Sequence, residues 1–121
     1  MSDEPQEKEL YSFGPMGVRI YFSRPGFFTP MARNITRIVL TDKRMIGEPK
    51  RVGTLPFFKD KAGFEVLYNS IASTERFSFF LNKGLYIQYR DAEKTKEVSI
   101  ISSGQNISQA YELIQKALQR S

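Results

Sequence analysis

The residues of this sequence best suited to chemistry are its cations, which crowd into the first half of the chain. Between Arg19 and Lys61 there are ten lysines and arginines against three acidic residues, a net charge of +7. From residue 62 onward the basic and acidic residues nearly balance, 7 against 6. A concentrated positive field attracts anions such as lipid head groups, nucleic acid or an acidic peptide. The plainer interpretation, a charged face that only interacts with water, carries equal weight.

The sequence is poor in the residue types that enzymes use. It contains no histidine and no cysteine, which excludes thiol chemistry, disulfides, iron–sulfur clusters, nearly all zinc sites and the usual general base. Its carboxylates are scattered, and Asp42, Glu65, Glu75 and Glu112 lie near no metal or acid–base motif. We therefore expect a protein that is not an enzyme and that holds no cofactor and no metal.

The sequence also bears on the cellular compartment. No apolar run approaches the roughly 18 residues of a membrane-spanning helix. Residues 1–10 carry a net charge of −3, which is not the pattern of a secretory signal. The missing cysteines fit a reducing compartment. We expect a cytoplasmic protein, with peripheral attachment as its route to a membrane.

Short strands followed by one helix must position these charges. Alternating apolar residues predict six or seven strands, around residues 18–22, 35–41, 44–46, 64–68, 71–81, 85–89 and 98–100. Turns are predicted at residues 42–43 and 82–84. From Ile107 to Leu118 apolar residues recur at helical spacing, and Asn106 with Gln109 has the spacing of a capping box at a helix start.

The order of these elements predicts the fold class and the domain boundaries. No strand alternates with a helix, which disfavours a parallel sheet. Antiparallel hairpins that close into a bent sandwich or barrel, with the helix over one end, are the economical arrangement. Residues 1–12 are predicted to be a flexible acidic tail, and residues 13–121 a single domain.

Several segments resemble those of pleckstrin-homology (PH)-like domains of the bacterial and GRAM types. Residues 40–46 are similar to their hairpin, in which a strand ends in Leu-Thr, turns through two polar residues and resumes with Arg-Leu-Ile; Met45 stands at the usual Leu. Residues 64–71, 84–87 and 110–118 are similar to later elements. The resemblance implies seven antiparallel strands and a C-terminal helix, no catalysis, and binding of phosphoinositides, anionic membranes or proteins.

The resemblance also implies where a lipid would bind. Basic residues on the first two strands and their loop hold the head group in such domains, through charge-assisted hydrogen bonds to phosphate. The predicted ligand-binding residues here are Arg24, Arg33, Arg37, Lys43 and Lys50. Phe27 and Phe28 lie in the same loop, and an apolar loop tip beside cations can enter a bilayer interface. They are the predicted membrane contacts.

Two other interpretations stay open. One is a protein-interaction or self-assembly module, a homo-oligomer included, that uses a sheet edge or a helix groove. Independently of that choice, the alternative to lipid contact is that at least one of Phe27 and Phe28 belongs to a core or an interface, where large aromatic side chains usually lie. A nucleic-acid partner ranks third, because the sequence shows no aromatic set of the kind that stacks on RNA bases.

Overall fold

The computed structural model describes residues 7–25, 36–49 and 64–120. These residues form eight strands, one turn of 3-10 helix at Tyr68–Ser70 and one α-helix. The strands are β1 (Glu9–Phe13), β2 (Arg19–Tyr21), β3 (Thr36–Thr41), β4 (Arg44–Pro49), β5 (Phe64–Leu67), β6 (Ile71–Phe79), β7 (Asn82–Asp91) and β8 (Lys94–Ser102), and the helix is α1 (Gly104–Arg120). The prediction of a mainly β domain with one C-terminal helix is confirmed.

The strands make two antiparallel sheets of four. The order is β1-β3-β4-β5 in the first sheet and β2-β8-β7-β6 in the second. The chain passes from the first sheet to the second between β1 and β2, and again between β5 and β6 through the 3-10 turn. Both sheets are therefore tied together early in the sequence and again in its middle.

One apolar core lies between the inner faces of the two sheets and the helix. The period of two along each strand directs every second side chain inward, and the helix contributes a stripe at spacings of three and four. The buried side chains that meet there include Ile20, Ile38, Leu40, Met45, Val66, Leu85, Ile87, Ile100, Ile107, Ala110 and Ile114. This core fixes which residues of each strand face outward and are free to form a site.

The helix begins earlier than the predicted capping box places it. α1 starts at Gly104, and Ser103 caps it by accepting the backbone N–H of Asn106 at its Oγ, 3.3 Å away. The Asn106 side chain has another use. Its Oδ1 accepts the Tyr11 hydroxyl at 2.6 Å and its Nδ2 donates to Ser102 Oγ at 3.1 Å. Asn106 thus joins the helix to both sheets.

The N-terminal boundary also differs from the prediction. Residues 9–12, assigned to a flexible tail, form β1 together with Phe13 and pair with β3. Tyr11 and Phe13 pack on the core. Glu9 lies on the outer side, where its carboxylate is 3.7 Å from Arg37. Glu9, one of the charged residues that suggested a tail, lies on the solvent side of an edge strand.

The turn between β6 and β7 is the third difference. It was predicted at residues 82–84, but it consists of Phe80 and Leu81. Gly84 lies inside β7 opposite Phe77, and a Cβ at Gly84 would overlap the Phe77 ring. This glycine permits a close approach of an aromatic side chain instead of a turn.

Candidate functional site

Arg24, the first of the predicted cations, follows β2 and lies on the outer face of the second sheet. Its Nη2 donates to Glu75 Oε2 at 2.5 Å, and its guanidinium is centred 4.0 Å from the Tyr86 ring. The hydrogen bond with Glu75 raises the pKa of Arg24, and the same bond lowers the pKa of Glu75. The pairing with Glu75 offsets the positive charge that Arg24 could offer to an external anion.

Arg37 lies on the outer face of the other sheet. It contacts two carboxylates, Glu9 at 3.7 Å and Glu48 at 3.6 Å, and donates to Ser12 Oγ at 3.0 Å. Because the core separates the outer faces of the two sheets, the structure does not bring Arg24 and Arg37 together.

Lys43 lies in the turn between β3 and β4 and is exposed. Its backbone N–H donates to Thr41 Oγ1 at 3.1 Å. The neighbouring Arg44 is held by Glu7 and Glu65, each 2.8 Å away. Across residues 7–25, 36–49 and 64–120, Lys43 forms no ion pair, which leaves its charge available.

The other predicted site residues, Arg33, Lys50, Phe27 and Phe28, lie outside the described residues. Their proposed contact with lipid stays a prediction. Of the three predicted cations that are described, Arg24 and Arg37 already pair with carboxylates and only Lys43 does not.

The sequence did not single out the most exposed apolar side chains. In the described part of the chain, large apolar residues are most exposed at Leu81, which is fully exposed, Met16 at 92% and Phe80 at 68%. The available signal was the run Phe79-Phe80-Leu81. Successive side chains of a strand point to opposite faces, so three consecutive apolar residues cannot all point into the core. At least one of them must face outward.

The three most exposed large apolar residues of the described chain, Met16, Phe80 and Leu81, lie at one end of the second sheet. The β6–β7 turn is at this end, as are the last residue of β8 and the first residue of β2, which Met16 precedes by three positions. Arg19 and Lys83 are at the same end. We call Met16, Phe80, Leu81, Arg19 and Lys83 the sheet-end surface.

Charge at the sheet-end surface is entirely positive. The three positions nearest this end on β2, β6, β7 and β8 contain no acidic residue. Arg19 is exposed, and the Lys83 ammonium donates to the neutral Ser78 Oγ at 3.1 Å. Neither cation has a carboxylate partner among the described residues, in contrast to Arg24 and Arg37.

An aromatic cluster on the outer face of the second sheet supports this end. The Phe79 ring packs 4.8 Å from that of Phe80 and 5.8 Å from that of Tyr21, and Phe77 makes an edge contact with Phe79 at 6.5 Å. Tyr21 is buried although it faces away from the main core. The cluster gives the turn a packed base.

A shallow cleft of about 920 Å³ opens beside the far end of the second sheet. Its apolar wall consists of Phe22, Phe64 and Leu67. The charged groups around it are largely compensated, since Lys96 pairs with Asp91 at 2.5 Å. The described residues include no cluster of three or more metal-ligating side chains, here or elsewhere.

Comparisons add no relatives to this description. None of the described helices has the length and apolar character needed to cross a membrane. No protein-family model matches the chain, and no curated protein matches it either.

Proposed function

We propose that this domain is a non-catalytic, PH-like module that binds the surface of anionic membranes. The observation that carries the proposal is the sheet-end surface, where Arg19 and Lys83 flank exposed Met16, Phe80 and Leu81. Cations at the head groups beside apolar side chains at the interface form the usual chemistry of peripheral attachment.

The strand arrangement supports the PH-like part of the proposal. β1 and β2 are separated by residues 14–18, and each is an edge strand of its own sheet. Counted as one bent strand shared between both sheets, they leave seven strands and a C-terminal helix. That is the architecture that the resemblance of residues 40–46 and the later segments implies.

The state of the carboxylates supports a non-catalytic role. Glu7, Glu9, Glu65 and Glu75 are each engaged by an arginine. The hydrogen bonds from arginine lower the pKa of Glu7 and of Glu75, which makes these two carboxylates poorer proton acceptors. We also propose that the protein is cytoplasmic and attaches to the membrane surface without spanning it.

Vesicle co-sedimentation tests the function. We expect the protein to bind vesicles of phosphatidylserine and phosphatidylcholine, and to bind phosphatidylcholine alone much more weakly. Each cation near an anionic surface contributes about 1 kcal/mol, so Arg19→Gln with Lys83→Gln should weaken binding about thirtyfold. The matched control is Lys94→Gln with Lys116→Gln, which removes two exposed cations away from this end. Equal binding to both vesicle types at low salt would refute the proposal.

A second candidate, a self-assembly module, is favoured by one observation. β6 has nine residues, and its outer edge has no partner strand in the described part of the chain. Such an edge can add a strand from another chain. Light scattering over a range of protein concentrations tests self-assembly. A protein that stays monomeric throughout does not assemble through β6.

A further inference from the structure

We propose that the two-residue turn between β6 and β7 enters the membrane, with Leu81 as its deepest residue and Phe80 and Met16 beside it. This inference rests on the proposed function and adds its mode of attachment. The apolar contact proposed here is a turn at one end of the second sheet. The predicted loop of Phe27 and Phe28 begins at the opposite end of that sheet.

The turn between β6 and β7 carries large apolar side chains at backbone positions that usually hold small or polar ones. Phe80 has a φ of 55°, in the left-handed region that a two-residue hairpin normally fills with glycine or asparagine. A large aromatic residue is disfavoured there, and Phe80 remains 68% exposed although its ring packs on that of Phe79. Leu81 follows it with no burial at all. The turn holds two large apolar side chains where folding alone would favour small or polar ones.

The aromatic cluster below the turn fixes its direction. Phe80 packs edge-on against Phe79, which in turn contacts Tyr21 across the outer face of the sheet. A projection that is already ordered loses little conformational entropy when it enters another phase. The fold therefore presents Leu81 without a rearrangement.

The charges select a bilayer over a second copy of the chain as the occupant. Arg19 and Lys83 flank the apolar residues, and no acidic residue occupies the nearest strand positions. Two copies that met through this surface would bring four cations together, which is unfavourable. An anionic bilayer instead offers phosphate and carboxylate groups at its surface and acyl chains below them. The cations of the sheet-end surface match the anionic groups at the bilayer surface, and its apolar residues match the acyl chains below.

A tryptophan reporter tests insertion, because the sequence contains no tryptophan. In Leu81→Trp, we expect the emission to shift to the blue with phosphatidylserine-containing vesicles and to be quenched by lipids brominated along their acyl chains. Leu10→Trp is the matched control, since Leu10 is about half exposed on the first sheet. Its emission should not change.

Affinity and salt dependence separate the two proposals. Leu81→Ser should weaken vesicle binding about tenfold or more, from the loss of one buried leucine, and leave its salt dependence unchanged. Leu10→Ser should bind as the unsubstituted protein does. Binding that requires anionic lipid but leaves Leu81→Trp unquenched overturns insertion and spares the proposed function. No binding to any vesicle overturns both. A concentration-dependent blue shift of Leu81→Trp without vesicles overturns insertion in favour of self-association.

Discussion

The aromatic cluster depends on the absence of a side chain at Gly84, and the substitution Gly84→Ala measures that dependence. The added methyl group would overlap the Phe77 ring, so the ring must move. Such overpacking costs about 1–3 kcal/mol. Alanine recovers about 0.5–1 kcal/mol because it restricts the unfolded chain more than glycine does. We expect Gly84→Ala to lower the free energy of unfolding by about 1–2 kcal/mol.

A double-mutant cycle identifies the ring as the cause. Phe77 is partly buried, so Phe77→Ala should cost about half of a full phenylalanine deletion, or about 2 kcal/mol. With the ring removed, Gly84→Ala meets no obstacle. The double variant should then be about 2 kcal/mol more stable than the sum of the two losses predicts.

Urea unfolding followed by circular dichroism supplies the four free energies. Gly17→Ala serves as a control, because Gly17 has a φ of +75° but open space around it. Its cost comes from backbone strain alone and should add to that of Phe77→Ala. If the losses from Gly84→Ala and Phe77→Ala are also additive, the steric explanation is wrong.

Two further predictions concern the region around Thr41. The buried Tyr68 hydroxyl donates to Thr41 O at 2.7 Å, so Tyr68→Phe should lower the free energy of unfolding by about 1–3 kcal/mol in urea titrations; an unchanged midpoint would contradict this. Hydrogen bonds from Arg44 and then Thr41 lower the pKa of Glu7, so its stabilising contribution is present above the ordinary carboxyl pKa and is lost as the pH falls through the lowered value. Glu7→Gln should therefore unfold at less urea than the unsubstituted protein at neutral pH, and the two midpoints should converge in acid. A gap that persists undiminished in acid would rule out Glu7 ionisation as the cause.

The parts of the fold that the sequence predicted correctly have strong local signals. The helix follows from the spacing of Ile107, Ala110 and Ile114, which are all buried. The turn at residues 42–43 and the hairpin of β3 and β4 follow from two polar residues between a β-branched run and a second strand-like segment. In both places the local pattern and the tertiary packing favour the same structure.

The parts that the sequence missed depend on partners distant in sequence. β1 is charged on its outer side, and only its pairing with β3 shows that it is a strand. Residues 82–84 have a local preference for a turn, but they belong to β7. The Phe77 ring occupies the space where a Cβ at position 84 would lie, so a glycine is required there within the strand. The carboxylate partners of Arg24 and Arg37 come from other strands, so sequence spacing did not reveal that these charges are compensated.

The pairing of β2 with β8 has a consequence for synthesis of the protein. Arg19 lies opposite Ile101, so β2 can pair in its sheet only after β8, about 80 residues later in this domain, has been synthesised. Until β8 appears, Ile20 and Tyr21 have no sheet to cover them, although both are buried in the finished domain. Contacts of such long range slow folding and leave apolar segments open to aggregation in the interval. β2 therefore remains open to such aggregation until translation has passed β8.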